Sequence, residues 1–363
     1  MLRITIYVHP RKGTLSMARA RSKKKQPKSK KWFLIVIIVL ALIVGISIVW
    51  GVGIFDELRK FNKSGSNDGI GSMLNPNKPE VVVEVPEWEG KERVNILLLG
   101  GDARDAEEGE MARSDSMIVL SIDPVTKQAN LFSVLRDTYT KIEGYGSGRM
   151  NTAITLGGAP LAMKSIGDLL GLEIQYYVYT DFEGFKALVD SIGGVYFDVE
   201  KDMKYTDNAD KNRYDIDLKA GYQLLDGDKA LQYVRFRHDA LSDYTRTERQ
   251  RNFLTEIAKQ TLSTWNIIRM KEILQDVSPY IDTNMTVNDM LKLGQLGLGI
   301  NIGDSAQIPP MEYLRETNRG GASVLTYTSE EDIHNYVQEV LTPKPVEAEA
   351  PEGEQTEESA FTE

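Results

Sequence analysis

Residues Trp32 to Phe55 read WFLIVIIVLALIVGISIVWGVGIF, 24 residues without a charged side chain. As a helix at about 1.5 Å per residue the run would reach ~36 Å, enough to cross a bilayer core. A cleavable signal peptide would show an apolar core of only ~7 to 15 residues followed by a small-residue cleavage site. The run has neither property and is expected to be an uncleaved transmembrane helix. Residues 1–31 carry eleven Lys and Arg and no Asp or Glu, which leaves the remainder of the chain with 32 basic against 53 acidic residues. With the flanking positive charge all on the N-terminal side, the positive-inside rule makes 1–31 a cytoplasmic tail and everything after Phe55 extracytoplasmic. The basic run then serves as topology signal and headgroup contact, with no nucleic-acid role. Met17, which opens MARARSKKKQPKSKK, is a second candidate start.

Beyond the anchor, residues 56–91 are rich in Asn, Gly, Ser and Pro and read as an extracytoplasmic linker, with a short strand at EVVVEV. Residues 342–363 are rich in Glu and Pro and read as a disordered acidic tail. Between them, residues 92–341 form one domain, long enough to stand on its core without the disulfides that the absence of cysteine precludes. RVNILLLGG, MIVLSID and QANLFSVL read as strands, the last two joined by the turn PVTK. Helices are expected from about Asn151 to Leu170, over FEGFKALVDSIGG, from about Asp243 to Gln260 and over EEDIHNYVQEVL, with strands at QYYVYTD, VYFDVE and ASVLTYT. The alternation predicts an α/β fold, a mixed central β-sheet flanked by helices.

If the first three strands pair antiparallel, both ends of the loop GDARDAEEGEMARSDS and the end of the third strand fall on one sheet edge. Asp102, Arg104, Arg113, Asp115, Arg136 and Asp137 would then share a rim. A second charged stretch, LQYVRFRHDALSDYTRTERQRNFL, holds Arg235, Arg237, Arg246, Arg249 and Arg251. At 100° per residue, Asp243, Arg246, Gln250, Phe253, Leu254 and Ile257 occupy one sector of about 100°, a face polar at its start and apolar further on. Arg249 flanks this sector, and Arg251 points away, as an ordinary surface arginine. Arg235 and Arg237 would share a side if YVRFR is extended.

Planar, permanently charged guanidiniums grip phosphate oxygens through two bonds, which lysine cannot do. Clustered arginines on an acidic domain therefore suggest a specific multi-phosphate ligand, against the competing reading of a solvated salt-bridge network with Asp239, Asp243 and Glu248. Two acids beside such a ligand suit Mg²⁺ or Mn²⁺, since Mg²⁺ uses one or two carboxylates plus substrate oxygens. There is no cysteine nucleophile and no Walker A loop, and of His9, His238 and His334 only His238 lies among the arginines, where a structural role outweighs that of a base.

Taken together, NILLLGGDAR, ARSDSMIVLSID, FSVLRDTYT, RMNTAITLGG, DFEGFKALVDSIGGV, LLDGDKALQYVRFRH and DYTRTERQRNFL resemble the LytR-CpsA-Psr family across about residues 93 to 262. The resemblance implies a membrane-anchored phosphotransferase that moves an anionic glycopolymer, such as wall teichoic acid or capsule, from an undecaprenyl-pyrophosphate carrier to a peptidoglycan hydroxyl in a Gram-positive envelope. It further implies an apolar tunnel for the prenyl chain and Mg²⁺ held by Asp102 and Asp115. Arg113, Arg136, Arg235, Arg237 and Arg246 resemble the pyrophosphate-binding arginines, with Arg104 and Arg149 as further candidates and Asp243 and Gln250 in support. Asp115 and Asp137 are candidates for taking the acceptor proton, beside Arg136 in a catalytic role. The chain departs from the family pattern at Leu135, where Pro is usual, and at Arg149, where Lys is usual. A non-catalytic sensor of lipid-linked pyrophosphates and a hydrolase are the alternatives.

The topology carries its own test. Protease added to intact, wall-stripped cells is expected to remove the domain beyond Phe55, and full protection would overturn the orientation.

Overall fold

The computed structural model describes residues 53–59, 83–101, 114–206, 212, 214–237 and 242–343, all within the second of two compact units, residues 52–363. β1 (Val94–Gly101), β2 (Ser114–Asp123) and β3 (Gln128–Val134) form the predicted antiparallel meander, with Val94 opposite Ile122 and Gly101 opposite Ser114. β6 (Tyr176–Thr180) joins β1 in parallel, β11 (Ile281–Thr283) closes that side antiparallel, and β12 (Asn301–Ile308) lies parallel to β3. The result is a six-stranded mixed sheet in the order β11-β6-β1-β2-β3-β12, while β4 (Tyr139–Ile142) with β5 (Gly146–Arg149) and β8 (Met203–Tyr205) with β9 (Ile216–Leu218) form separate two-stranded ribbons.

Both faces of this sheet are covered, which is why β1 reads as a nearly unbroken apolar run. Alternate residues separate its two cores. Leu97, Leu99, Met117, Val119 and Phe132 pack on α2 (Ala153–Leu170) and α9 (Glu330–Leu341). Ile96, Ile122 and Tyr176 face Trp88 and α8 (Val287–Gly297). A third core gathers α3 (Phe182–Ser191), α4 (Gly227–Arg235), α5 (Ser242–Thr261), α7 (Met270–Val277) and the ribbon of β7 (Val195–Val199) with β10 (Gly221–Leu225). The starts of α3 and α4 are set by aspartate caps: Asp181 accepts from Gly184 N at 2.8 Å and Asp226 from Lys229 N at 2.9 Å.

The structure corrects several expectations. β7 pairs with β10 in a separate ribbon, outside the central sheet. Residues 83–85, the described part of EVVVEV, have no regular secondary structure: they pair with no described strand, and Val83 and Val85 are held by side-chain packing against the first core. The span 56–91 is not wholly a linker: residues 53–59 are helical (α1), and Trp88 is buried with Nε1 donating to Glu92 O at 2.8 Å. YVRFR is not extended, since α4 runs through Arg235 and the chain leaves the helix at Phe236. No helix among the described residues is long and apolar enough to cross a membrane, and most of the expected span, the basic tail and most of the acidic tail lie outside them.

Arg251 does turn away from the face of Arg246, but it is buried, not on the surface. Its side chain donates to Ser133 Oγ on β3, and burial lowers its pKa. The physical reason is that α5 is covered on both sides: its back lies on the β3–β12 side of the sheet, where Thr247 Oγ1 donates to Gln307 Oε1 at 2.8 Å. Arg251→Ala, which leaves a void and an unpaired Ser133 hydroxyl, is expected to lower stability by about 2 to 4 kcal/mol in chemical unfolding. Arg251→Met, which keeps most of the volume and removes the buried charge but also leaves the Ser133 hydroxyl without its partner, is expected to cost clearly less than Arg251→Ala, about 1 to 2 kcal/mol.

Candidate functional site

The meander delivers Asp115, at the start of β2, and Arg136, just past β3, to the same sheet edge, where Arg136 Nη1 donates to Asp115 Oδ1 at 2.7 Å. Asp137 bridges two guanidiniums, 3.3 Å from Arg136 Nε and 3.4 Å from Arg149 Nη1. From the other side come the two groups of the long arginine stretch. Arg237 Nη2 lies 3.8 Å from Asp115 Oδ2 and 3.5 Å from Asp243 Oδ1. Arg246 Nη2 lies 2.7 Å from Asp243 Oδ1 and donates to the Asp115 carbonyl at 3.1 Å. Gln250 accepts from Ser116 Oγ at 3.1 Å and donates to Val234 O at 3.4 Å, which ties α5 to β2 and α4.

These groups perturb one another. Burial, with Arg136 close by, lowers the pKa of Arg237. Burial raises that of Asp243 although Arg237 and Arg136 pull it down. Arg136 goes the other way: burial opposes its charge, but the hydrogen bond and charge of Asp115 with Asp137 and Asp243 raise its pKa. Three atoms here are buried without a hydrogen-bond partner, Arg237 Nη2, Arg246 Nε and Asp243 Oδ2. Two orphaned donors of this kind fit the acceptor oxygens of a phosphate.

Directly against this cluster opens a cavity of about 430 Å³. Asp115, Arg237, Arg246 and Gln250 border it, and Leu98, Val178, Phe185, Leu188, Phe253, Leu254, Ile257 and Val277 make its apolar wall. The change from polar to apolar follows α5 itself, in the sector read from the sequence. Gly101 also lines the cavity, and a Cβ there would sit 2.1 Å from Tyr179 Oη, so a side chain at the end of β1 would displace the Tyr179 ring.

Arg235 lines the cavity by a different route from the one expected. As the last residue of α4 it lies over the Phe182 and Tyr214 rings, 5.1 and 5.0 Å from their centroids, and donates to Tyr214 O at 3.0 Å. Arg249, read as flanking the site, is buried: it pairs with Glu200 at 2.6 Å and donates to Phe236 O at 3.1 Å, fixing the residue before Arg237. No spacing rule in the sequence announces that role. Ser116 was also missed, a serine beside an aspartate being too common to signal anything. Leu135, where the family pattern has Pro, donates its N–H to Ile308 O at 3.0 Å, a bond proline cannot make. Asp102, Arg104, Arg113 and His238 lie outside the described residues.

For a divalent metal, Asp115 is the described half of the expected pair. Among the described residues no group of three or more acids or histidines could cage an ion. A hard-oxygen set of one or two carboxylates completed by phosphate oxygens is nevertheless what Mg²⁺ accepts, so the residues fit a metal that arrives with its ligand.

Three comparisons bear on this geometry. The LytR_cpsA_psr family model matches residues 60–337. Regulatory protein MsrR of Staphylococcus aureus is 33% identical over 210 residues, 57% of this chain and 61% of its own length, so the chain spans less than two thirds of that relative. The polyisoprenyl-teichoic acid--peptidoglycan teichoic acid transferase TagU of Bacillus mycoides is 32% identical over 253 residues, 69% of this chain and 79% of its own. Among solved structures, Bacillus subtilis YwtF (TagT) with bound octaprenyl pyrophosphate lipid shares the fold, with a TM-score of 0.53 at 22% identity over 74% of this chain and 99% of its own.

The fork of Arg246 has a direct test. Arg246→Lys keeps the charge but loses the planar pair of donors, and is expected to weaken binding of pyrophosphate by roughly ten- to a hundred-fold in calorimetry, from a charge-assisted bond worth about 1.5 to 3 kcal/mol.

Proposed function

The chain belongs to the LytR_cpsA_psr family, and from that premise and the site we propose that it is a membrane-anchored phosphotransferase that moves an anionic glycopolymer from an undecaprenyl-pyrophosphate carrier onto peptidoglycan. The observation that carries the reading is the junction of guanidiniums with an apolar cavity, because a pyrophosphate on a long hydrocarbon chain needs both at once. The name of TagU and the lipid bound in YwtF (TagT) support the same ligand class.

In this reading Arg136, Arg237 and Arg246 grip the pyrophosphate while its chain lies along Phe253, Leu254 and Ile257. The acceptor hydroxyl oxygen attacks the polymer-side phosphorus, a new P–O bond forms, and the bridging P–O bond breaks to release polyprenyl monophosphate. The acceptor proton passes to a carboxylate, Asp137 or Asp115. The arginines offset the negative charge that builds on the leaving phosphate, so no covalent protein intermediate is needed. Mg²⁺ or Mn²⁺, held by Asp115 together with Asp102, would supply further charge neutralisation at the phosphate oxygens. Arg235 shapes the cavity wall, and Arg149 holds Asp137 in place. The domain acts outside the cytoplasm, on the side of the membrane that carries peptidoglycan.

The full chain supplied with lipid-linked glycopolymer and peptidoglycan is expected to yield a covalent conjugate. Binding of the lipid without any conjugate would point to a sensor, and polymer released to water would point to a hydrolase. Asp115→Ala is expected to leave the chain folded and to raise the Mg²⁺ concentration needed for half-maximal conjugate formation at least ten-fold, about 1.4 kcal/mol of lost metal affinity. An unchanged Mg²⁺ titration would remove Asp115 from the metal site.

A further inference from the structure

Away from this site, Leu262, Trp265 and Ile268 stand 40%, 66% and 58% exposed at the far end of α5, where the chain turns through Ser263 into α6 (Thr264–Ile268). Trp265 and Ile268, three apart, share one side of that turn. The turn is firmly held: Ser263 Oγ accepts from Asn266 N at 3.4 Å, and the buried Asn266 side chain donates to Ile192 O at 3.1 Å and Gln260 O at 2.9 Å. Buried hydrogen bonds thus fix an indole outward, where contact with water is unfavourable. An apolar exposure of this kind marks a protein or membrane contact.

Charge does not select the occupant, because the flanking ions neutralise one another: Lys259 pairs with Glu256 at 2.6 Å and Arg269 with Glu272 at 2.9 Å. The path of the chain does. The 24-residue apolar run ends at Phe55, inside α1. α1 rests on α7, where Gln275 Nε2 donates to Glu57 Oε1 at 2.8 Å and a Cβ on Gly53 would meet Lys271 Cδ at 3.1 Å. Lys271 is three residues from Ile268, so the end of the run and the exposed face of α6 meet at the same end of α7.

We infer that Leu262, Trp265 and Ile268 form a membrane seat, inserted in the interfacial zone of the bilayer, with Trp265 at the level of the headgroups. The inference rests on the reading of residues 32–55 as a membrane span. With α6 seated, the Ile257–Thr261 end of α5 faces the lipid and Arg246 stands about 22 Å further along the helix axis. The apolar wall of the cavity then points toward the bilayer that supplies the lipid chain, and the guanidiniums point toward water.

Tryptophan quenching in the full chain, reconstituted in phosphatidylcholine vesicles with brominated acyl chains, tests this. The four tryptophans are Trp32, Trp50, Trp88 and Trp265, so comparison with Trp265→Phe isolates the seat and comparison with Trp50→Phe reports the span. Quenching of both the Trp265 and the Trp50 emission is the expected result. Quenching of Trp50 without Trp265 would overturn the seat and leave the span standing, and quenching of neither would overturn both. Trp265 shielded from aqueous acrylamide yet untouched by brominated lipid would mean a protein contact, such as a second copy, and would also overturn the seat.

Discussion

Guanidiniums repel one another, and this site brings together four of them, Arg136, Arg149, Arg237 and Arg246, against three carboxylates, Asp115, Asp137 and Asp243. The cluster survives because the charges alternate: each carboxylate named stands between two guanidiniums. Where the alternation is weakest, at Arg237, burial and the neighbouring Arg136 already make the charged form less favourable. Among the described groups one positive charge is left over, together with buried donor atoms that make no hydrogen bond. A phosphate is the kind of ligand that relieves both conditions at once.

The scaffold follows from that requirement. A short meander sets Asp115 and Arg136 on one edge, and α5 brings Asp243 and Arg246 across from a separate core. The same helix then continues as a wall of the cavity through Phe253 and Ile257. One rigid element therefore fixes the spacing between the charged cluster and the apolar part of the cavity. Arg249, through Glu200 and the carbonyl of Phe236, locks the strip that carries Arg237 to this helix.

Much of this was legible in the chain. The apolar run of β1, the turn between β2 and β3 and the sector of α5 from Asp243 to Ile257 all obey local periodicities, and local periodicity is set by the geometry of one strand or one helix. The family motifs fall on the same elements. What failed to show were the contacts between elements. The place of Arg235, at the end of α4 over two aromatic rings, depended on Phe182 and Tyr214, far away in sequence. Burial of Trp88 depended on the sheet face of Ile96, Ile122 and Tyr176, which no local pattern places beside it. Arg251, polar and on the back of its helix, looks like a surface residue until β3 is laid beneath it.

By itself, then, the sequence determined the central meander, the longer helices, the edge at which the acidic and basic residues gather, and the family membership, because each rests on short-range pattern or on motif identity. Tertiary structure alone decided which arginines border the cavity and which only hold the fold together. Arg235, Arg246, Arg249 and Arg251 are alike in charge and close in number, but one lies on aromatic rings, one on the Asp243 carboxylate, one on Glu200 and one on a serine of the sheet. The difference is made by the neighbours that packing brings to each guanidinium, and long-range packing is not written in any local spacing.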